Sequence, residues 1–227
     1  MAHWISERGI QMIKGAVLDM DGLMIDSERI VYENWQRMMD ENGYDYCFED
    51  YKKTVGKRKK EVEKIYRDKF GEDFPYWDFA DQCHATYIQR LKTDGIPTKP
   101  GLFALLDFFK ANGVKIALAT STSRETATLN LKSTDTLRYF DALVCGNDVI
   151  NGKPHPEVFL TAAQRLGFSP RDCVAYEDSP TGIQAAHAAG MITVMVPDYL
   201  QPDETVRPLI DLLCTTLDES IPFLQTL

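Results

Sequence analysis

Short apolar runs alternate with amphipathic segments along most of the chain. Apolar runs that predict buried β-strands occur at Ile13–Leu18, Val114–Ala119, Ala142–Cys145, Cys173–Tyr176 and Ile192–Val196. Amphipathic segments between the later runs predict helices over Ser123–Lys132, Pro156–Leu166 and Pro180–Ala189. Because short apolar strands that alternate with helices are typical of a parallel sheet covered on both faces, we predict an α/β fold.

The gap between the first two predicted strands is too long for a single crossover helix. Its periodicity predicts helices at Glu28–Asn42, Phe48–Thr54, Lys59–Phe70 and Trp77–Lys92, and the gap is rich in aromatic residues. We therefore predict an α-helical domain over residues 28–96 that is inserted into an α/β core formed by residues 12–27 and 97–227. Residues 1–11 form an N-terminal extension to which we assign no role.

Composition and charge exclude several classes of partner. The chain has 227 residues, 44% of them hydrophobic, and a net charge of −9. A nucleic-acid or anionic-membrane surface requires a basic protein, so we expect neither partner.

We see no apolar stretch near the ~18 residues of a membrane span and no N-terminal leader in which basic residues precede an apolar run. Five scattered cysteines suit reduced thiols. We expect a cytoplasmic monomer.

Polar residues follow four of the predicted strands where site chemistry is expected. In an open parallel sheet, ligands bind beyond the carboxyl ends of the strands. The residues at these positions are Asp19 and Asp21, the hydroxyl run Thr120–Ser123, Lys153, and the pair Glu177 and Asp178. Two carboxylates at the mouth of a buried strand are costly unless they are paired or coordinate a metal. A hydroxyl run that enters a helix N-terminus suits a phosphate group.

Each of these motifs also has a purely structural interpretation. Asp19 and Asp21 could form a polar turn, and the hydroxyl run Thr120–Ser123 could be only a helix N-cap. Glu177 and Asp178 could likewise cap the helix that follows them, and a lysine beside a proline is usually a solvated surface residue. The occurrence of all four motifs in this order favours one shared site.

Together the four motifs closely resemble those of the haloacid dehalogenase-like hydrolase superfamily, in particular its β-phosphoglucomutase-like branch of phosphatases and mutases. The resemblance covers residues 13–227, and the order of the motifs is more specific than any one of them. The motifs are Leu18–Ser27, Leu118–Ser121, Gly152–Pro154 and Glu177–Gly182. The resemblance implies a Rossmann-like parallel sheet and an inserted helical cap.

The resemblance also implies roles for individual residues. Asp19 would be the nucleophile that forms an aspartyl-phosphate, and Asp21 would be the general acid and base. Lys153 would supply a positive charge beside the nucleophile. Thr120 and the amide of Ser121 would hold the transferred phosphoryl group.

The implied cofactor is Mg²⁺. Its ligands would be the carboxylate of Asp19, the backbone carbonyl of Asp21 and the carboxylate of Asp178, with Glu177 in support. A hard cation with oxygen ligands agrees with the chemistry, because a carboxylate cannot approach a phosphate dianion without neutralising charge.

Substrate identity is expected to depend on the cap. The run from Gly56 to Lys60 stands where the family has a substrate-specificity loop, and Lys59 is our candidate for contact with a substrate anion; the alternative is a solvated polar face. β-Phosphoglucomutase has a cap histidine where this chain has Val31. We therefore expect a phosphatase for small phosphorylated metabolites, either sugar or nucleoside monophosphates. A phosphosugar mutase and a non-catalytic binding module are the alternatives.

Overall fold

Parallel strands form a single sheet in the computed structural model, which describes residues 13–57 and 59–227. The strands are β1 (Gly15–Leu18), β2 (Lys115–Ala119), β3 (Ala142–Val144), β4 (Cys173–Glu177), β5 (Ile192–Met195) and β6 (Leu212–Leu213). Their order across the sheet is β3-β2-β1-β4-β5-β6. The first strand therefore lies in the middle, with β2 and β4 as its neighbours. The predicted N-terminal extension (residues 1–11) and Arg58 lie outside the described residues.

Strand β1 is buried on both faces, as its unbroken apolar run predicts. Ala16 and Leu18 contribute to the hydrophobic cluster on one face of the sheet. Val17 contributes to the cluster on the opposite face. This alternation follows from the two-residue repeat of a β-strand. The residues that follow Leu18 consequently emerge from the centre of the core at one edge of the sheet.

Helices cover both faces of the sheet, which confirms the predicted α/β fold. They are α5 (Leu102–Ala111), α6 (Arg124–Ser133), α7 (Glu157–Leu166), α8 (Pro180–Ala188) and α9 (Ile221–Leu224). Phe109 of α5 packs in the cluster that contains Leu18, and Phe159 of α7 packs in the cluster that contains Val17. No helix among the described residues is long and apolar enough to cross a membrane.

The first four helices after β1 form what we call the helical segment, residues 27–93. They are α1 (Ser27–Glu41), α2 (Phe48–Lys52), α3 (Lys59–Phe70) and α4 (Tyr76–Thr93). The segment has its own aromatic cluster, in which Trp35, Tyr66 and Phe74 are buried. Edge-to-face contacts join these rings, for example Trp35 and Tyr66 with centroids 5.0 Å apart. The predicted domain boundaries at residues 28 and 96 stay a prediction.

Sequence periodicity missed two of the α-helices and one of the strands among the described residues. Helix α5 reads Leu-Phe-Ala-Leu-Leu-Asp-Phe-Phe, so its nearly continuous apolar run lacks the helical alternation that would mark it. Strand β6 has two residues, too few to produce a pattern, and α9 has four. The other predicted bounds agree with the structure to within about two residues.

Candidate active site

The carboxyl ends of β1, β2 and β4 bring three of the predicted motifs to one edge of the sheet. Asp19 follows β1, Thr120 follows β2, and Glu177 is the last residue of β4. Strands β2 and β4 flank β1 and pair with it in parallel. Leu18 lies opposite Leu118 on one side and Tyr176 on the other. Residues that are more than 100 positions apart in the chain are therefore neighbours in space.

A buried lysine joins two of the predicted carboxylates. The ammonium group of Lys153 donates to Oδ1 of Asp19 and to Oε1 of Glu177, and its side chain is only 8% exposed. Carboxylate oxygens of Asp19, Glu177 and Asp178 lie within 4.8 Å of one another, and all three residues are buried. With three acids and one lysine, the fully ionised cluster carries a net charge of −2.

This charge imbalance affects the pKa values of the residues in the cluster. Burial raises the pKa of Asp19 to about 8, although the charge of Lys153 opposes the shift. Burial also holds the pKa of Asp178 well above its ordinary value, with further contributions from Glu177 and Asp19. Burial alone would lower the pKa of Lys153, but the two neighbouring carboxylates outweigh it and raise that pKa. The lysine stays charged, and its single charge does not balance the acids.

The donor set fits the divalent cation that the sequence predicts. Three buried carboxylates in mutual reach are oxygen ligands of the type that Mg²⁺ prefers, and two further positive charges would balance the cluster. A cation beside Asp19 and Asp178 would also reverse the rise in their pKa values. The carboxylate of Asp21 is not part of this cluster. The prediction that its backbone carbonyl is a ligand stays a prediction.

Glu177 is held in place by the start of helix α8. Its Oε2 accepts from the hydroxyl of Ser179 at 3.0 Å and from the backbone amide of Ser179 at 3.3 Å. Ser179 is also the N-cap of α8 and accepts from the amide of Gly182 at 3.1 Å. A Cβ on Gly182 would collide with the carboxylate of Glu177, so a glycine is required here by close packing.

The carboxylate of Asp21 lies among hydroxyl groups. Ser27 donates to Oδ1 at 2.8 Å, and Thr122 donates to Oδ2 at 2.7 Å. Thr120 is a more distant donor to Oδ2, at 3.4 Å. Ser27 begins α1, whereas both threonines belong to the loop after β2. The orientation of Asp21 is thus set from the sheet and from the helical segment together.

The predicted phosphate-binding loop enters helix α6. Ser123 is the N-cap and accepts from the amide of Thr126 at 3.4 Å, while Thr120 accepts from the amide of Thr122 at 3.1 Å. Gly146 lies against this loop, and a Cβ there would collide with the carbonyl oxygen of Ser121. The loop therefore presents hydroxyls and a helix N-terminus to the same space as Asp19.

A cavity of about 800 Å³ lies between this edge of the sheet and the helical segment. Asp19, Asp21 and Lys153 line it from the sheet side, together with Thr120, Ser121 and Asp178. From the helical segment, Val31, Lys57 and Lys59 also line it. The structure thus brings every predicted site residue except Glu177 to the cavity surface. Glu177 is fully buried behind it and contacts Lys153.

Sequence reasoning missed several residues that line the cavity. Glu28 lines it and accepts a hydrogen bond from the hydroxyl of Tyr51, and burial raises the pKa of Glu28 to about 7. Ser27 ends the first motif, but a serine at a helix start is ordinarily interpreted as a cap. Tyr87 and Asn130 also line the cavity. For Asn130, the sequence shows only an asparagine inside the predicted helix Ser123–Lys132, and its burial is known from the structure alone.

Comparison with known proteins places this site in a recognised class of hydrolases. The model of the haloacid dehalogenase-like hydrolase family matches residues 16–196, a range that includes β2 to β5, all but the first residue of β1, the acidic cluster and Lys153. The chain belongs to the haloacid dehalogenase-like hydrolase family, which confirms the resemblance found in the sequence. It is accordingly an enzyme of the hydrolase type.

Individual relatives cover most of the chain. A phosphorylated carbohydrates phosphatase of Thermotoga maritima is 31% identical over 179 residues, which are 79% of this chain and 82% of that protein. A protein named the probable pseudouridine-5′-phosphatase of Drosophila melanogaster is 30% identical over 220 residues, 94% of each chain. A crystal structure from Thermotoga maritima, proposed to be a β-phosphoglucomutase, superposes with a TM-score of 0.77 at 28% identity. The superposition covers 93% of this chain and 98% of the chain from Thermotoga maritima.

Proposed function

We propose that this enzyme is a phosphatase that hydrolyses small phosphorylated metabolites, either sugar or nucleoside monophosphates, through an aspartyl-phosphate intermediate. The observation that carries the proposal is the contact between Asp19 and Lys153 at the floor of the cavity. An ionised carboxylate can approach a phosphate only where positive charge is already in place, and Lys153 supplies such a charge. The phosphatases among the relatives support the same reaction class.

In the first step, a carboxylate oxygen of Asp19 attacks phosphorus and the ester bond to the leaving oxygen breaks. Asp21 gives its proton to that oxygen, so the leaving group departs as an alcohol. Ser27 and Thr122 hold the two oxygens of Asp21 at 2.8 and 2.7 Å, which orients the acid for this transfer. Lys153 stays beside Asp19 throughout and offsets the repulsion between the two anions.

In the second step, water attacks the phosphorus of the aspartyl-phosphate. Asp21, now ionised, accepts a proton from this water, and the bond from phosphorus to Asp19 breaks. Inorganic phosphate and the original carboxylate are the products. Thr120 and the amide of Ser121 hold the phosphoryl oxygens in both steps, since their loop faces the same cavity as Asp19.

Mg²⁺ fits the acidic cluster, and Asp19 and Asp178 would hold it together with the backbone carbonyl of Asp21. When bound, the cation neutralises phosphoryl charge and makes attack by an anion possible. Glu177 would support the metal site from the buried side of the cluster, because it contacts Lys153 and is held by Ser179.

The helical segment would act as a cap, with the domain boundaries near residues 28 and 96 that the sequence predicts. It lines the cavity opposite the nucleophile, so it would exclude water and contact the leaving group.

Lys59 is the proposed contact for an anionic leaving group. Lys59→Ala should raise the KM of substrates that carry a second negative charge. Its neighbour Lys60, which is not among the cavity-lining residues, provides the control variant Lys60→Ala.

A phosphosugar mutase is the second candidate function, and the β-phosphoglucomutase-like neighbour supports it. The side chain of Val31 favours hydrolysis instead. It lines the cavity at the position where β-phosphoglucomutase has a histidine, and an aliphatic group there can neither donate nor accept a proton.

The proposal is tested by a phosphate-release screen over sugar and nucleoside monophosphates, run with Mg²⁺ and with chelator. We expect release only with the metal, and we expect Asp19→Asn to abolish it while leaving the fold intact. Rapid acid quench with radiolabelled substrate should trap phosphate on wild-type protein and none on Asp19→Asn. A parallel assay for isomerisation of β-glucose 1-phosphate decides between the two candidates: isomerisation without phosphate release would replace the phosphatase by the mutase.

A further inference from the structure

A buried hydrogen bond links the helical segment to the sheet side of the cavity. The hydroxyl of Tyr87 on α4 donates to Oδ1 of Asn130 on α6 at 3.0 Å. Tyr87 is 6% exposed and Asn130 is 1% exposed. The two residues are 43 positions apart in sequence, and both line the cavity.

The same asparagine reaches the loop that carries the catalytic carboxylates. Its amide nitrogen lies 3.8 Å from the sulfur of Met20, the residue between Asp19 and Asp21. Asn130 therefore contacts both Tyr87 on α4 and Met20 in the turn after β1. Burial, followed by the nearby charge of Asp21, raises the pKa of the Tyr87 hydroxyl, so it remains a donor at neutral pH.

Because both partners are buried, this bond is selective for one arrangement of the helices. If α4 shifted along α6, a buried hydroxyl and a buried amide would each lose a hydrogen-bond partner, which is unfavourable. An aromatic contact between the helical segment and the core is less directional. Tyr199 packs edge-to-face on Phe48 with ring centroids 4.8 Å apart, a contact that tolerates sliding.

We propose that Tyr87 and Asn130 are positioning residues: their hydrogen bond fixes α4 against α6 and so sets the α4 wall of the cavity over Asp21. This wall includes Ala80, Cys83 and His84, which line the cavity from the same helix. A bulky leaving group would rest on this wall while Asp21 protonates it. The inference rests on the proposed function, in which the helical segment contacts the leaving group.

The test uses two phosphoryl donors with leaving groups of different size. Tyr87→Phe should lower kcat/KM for p-nitrophenyl phosphate, an aryl ester, by about tenfold, the equivalent of one lost buried hydrogen bond. It should change kcat/KM for acetyl phosphate, an acyl phosphate, by less than about twofold, because acetate is too small to rest on the α4 wall. Equal losses with both donors would overturn the proposal.

A matched control is available inside the helical segment. The hydroxyls of Tyr46 and Tyr66 are also buried and lie 2.7 Å apart, but both belong to the segment itself. Tyr46→Phe removes a comparable bond without touching the contact with α6. We expect it to lower Tm about as much as Tyr87→Phe does and to leave the ratio of the two kcat/KM values unchanged. If Tyr46→Phe shifts that ratio as strongly as Tyr87→Phe, the role of Tyr87 is merely structural.

Hydrogen exchange provides a readout that does not depend on turnover. Peptides from α4 and α6 should lose protection together in Tyr87→Phe, whereas Tyr46→Phe should affect the helical segment alone. If wild-type protein hydrolyses neither phosphoryl donor, the proposed phosphatase function fails, and exchange still decides whether the bond holds α4 on α6. Unchanged protection of both helices in Tyr87→Phe would refute the positioning role.

Discussion

The hydroxyl of Ser27 donates to Oδ1 of Asp21 at 2.8 Å, and this bond joins the first residue of the helical segment to the proposed general acid. Ser27 is 3% exposed, whereas Asp21 is half-buried and faces the cavity. Thr122 holds the second oxygen of the same carboxylate. The two donors come from different parts of the fold, which makes the orientation of Asp21 sensitive to how those parts are placed.

Ser27→Ala should therefore lower kcat by about tenfold with little change in KM, because a misoriented acid slows proton transfer more than binding. Steady-state kinetics with a sugar phosphate such as glucose 6-phosphate measure the effect, because its alkoxide leaving group needs a proton. Ser27→Thr keeps the hydroxyl and should restore most of the activity. Full activity in Ser27→Ala would remove this bond from the mechanism.

Lys153→Met should destabilise the protein by about 3–5 kcal/mol in the presence of chelator, because the buried carboxylates of Asp19 and Glu177 lose their partner. Urea denaturation measures the loss. Lys110 pairs with Asp141 at 3.0 Å on the surface, and Lys110→Met should cost less than about 1 kcal/mol. Similar losses in the two variants would contradict the account of a buried ionic cluster.

Mg²⁺ should stabilise the wild-type fold, by about 2.7 kcal/mol at a concentration one hundred times the Kd. Asp178→Asn removes one negative charge from the cluster and one ligand. In chelator the variant should be at least as stable as wild type, since burial and neighbouring acids disfavour the ionised form of Asp178. With Mg²⁺ the order should reverse. Thermal denaturation under both conditions checks this crossing.

Asp68→Asn serves as the control for this metal effect, because Asp68 is exposed and pairs with Lys64 at 2.7 Å, within helix α3. Its response to Mg²⁺ should equal that of wild type. A normal Mg²⁺ response in Asp178→Asn would exclude this residue as a ligand.

Glu28 should make stability depend on pH between about 4.5 and 7. Burial raises the pKa of its carboxyl from 4.5 to about 7, although the hydroxyl of Tyr51 partly opposes the shift. The folded protein then binds more protons than the unfolded chain in this window, so this group lowers stability as pH rises through it. Glu28→Gln should remove that loss and become more stable than wild type by up to about 3 kcal/mol at pH 8.

Urea denaturation at pH 5 and pH 8 measures this difference. Glu49, an exposed residue paired with Lys52 at 3.4 Å, provides the control variant Glu49→Gln, which should differ from wild type by less than about 1 kcal/mol at both pH values because a surface ion pair contributes little. If the gap between Glu28→Gln and wild type stays constant from pH 5 to pH 8, Glu28 does not titrate in this window.

Much of the fold could be predicted because its signals are local. Burial of β1 is encoded in its four apolar residues, and the strand and helix pattern that follows predicts the parallel sheet. The residue types at the strand ends, above all Asp19 and Asp21, indicate phosphoryl chemistry by their identity and position alone. The predicted cytoplasmic location, monomeric state and role of Lys59 stay predictions.

Gly182 marks the limit of such reasoning. In a helix, alanine is ordinarily favoured over glycine by about 1 kcal/mol, so local propensity argues against this residue. Only the packed structure explains it, because a Cβ would occupy the space of the Glu177 carboxylate. Gly146 is similar, since it makes room for the carbonyl of Ser121.

The sequence alone determined which residues can do chemistry and at which strand ends they stand, because strand periodicity and motif order are properties of neighbouring positions. The tertiary structure decided which of them touch. Lys153 meets Asp19 across 134 positions, and Tyr87 meets Asn130 across 43, through the way helices pack on the sheet. Packing depends on the shapes of many side chains at once, so no short stretch of sequence contains it.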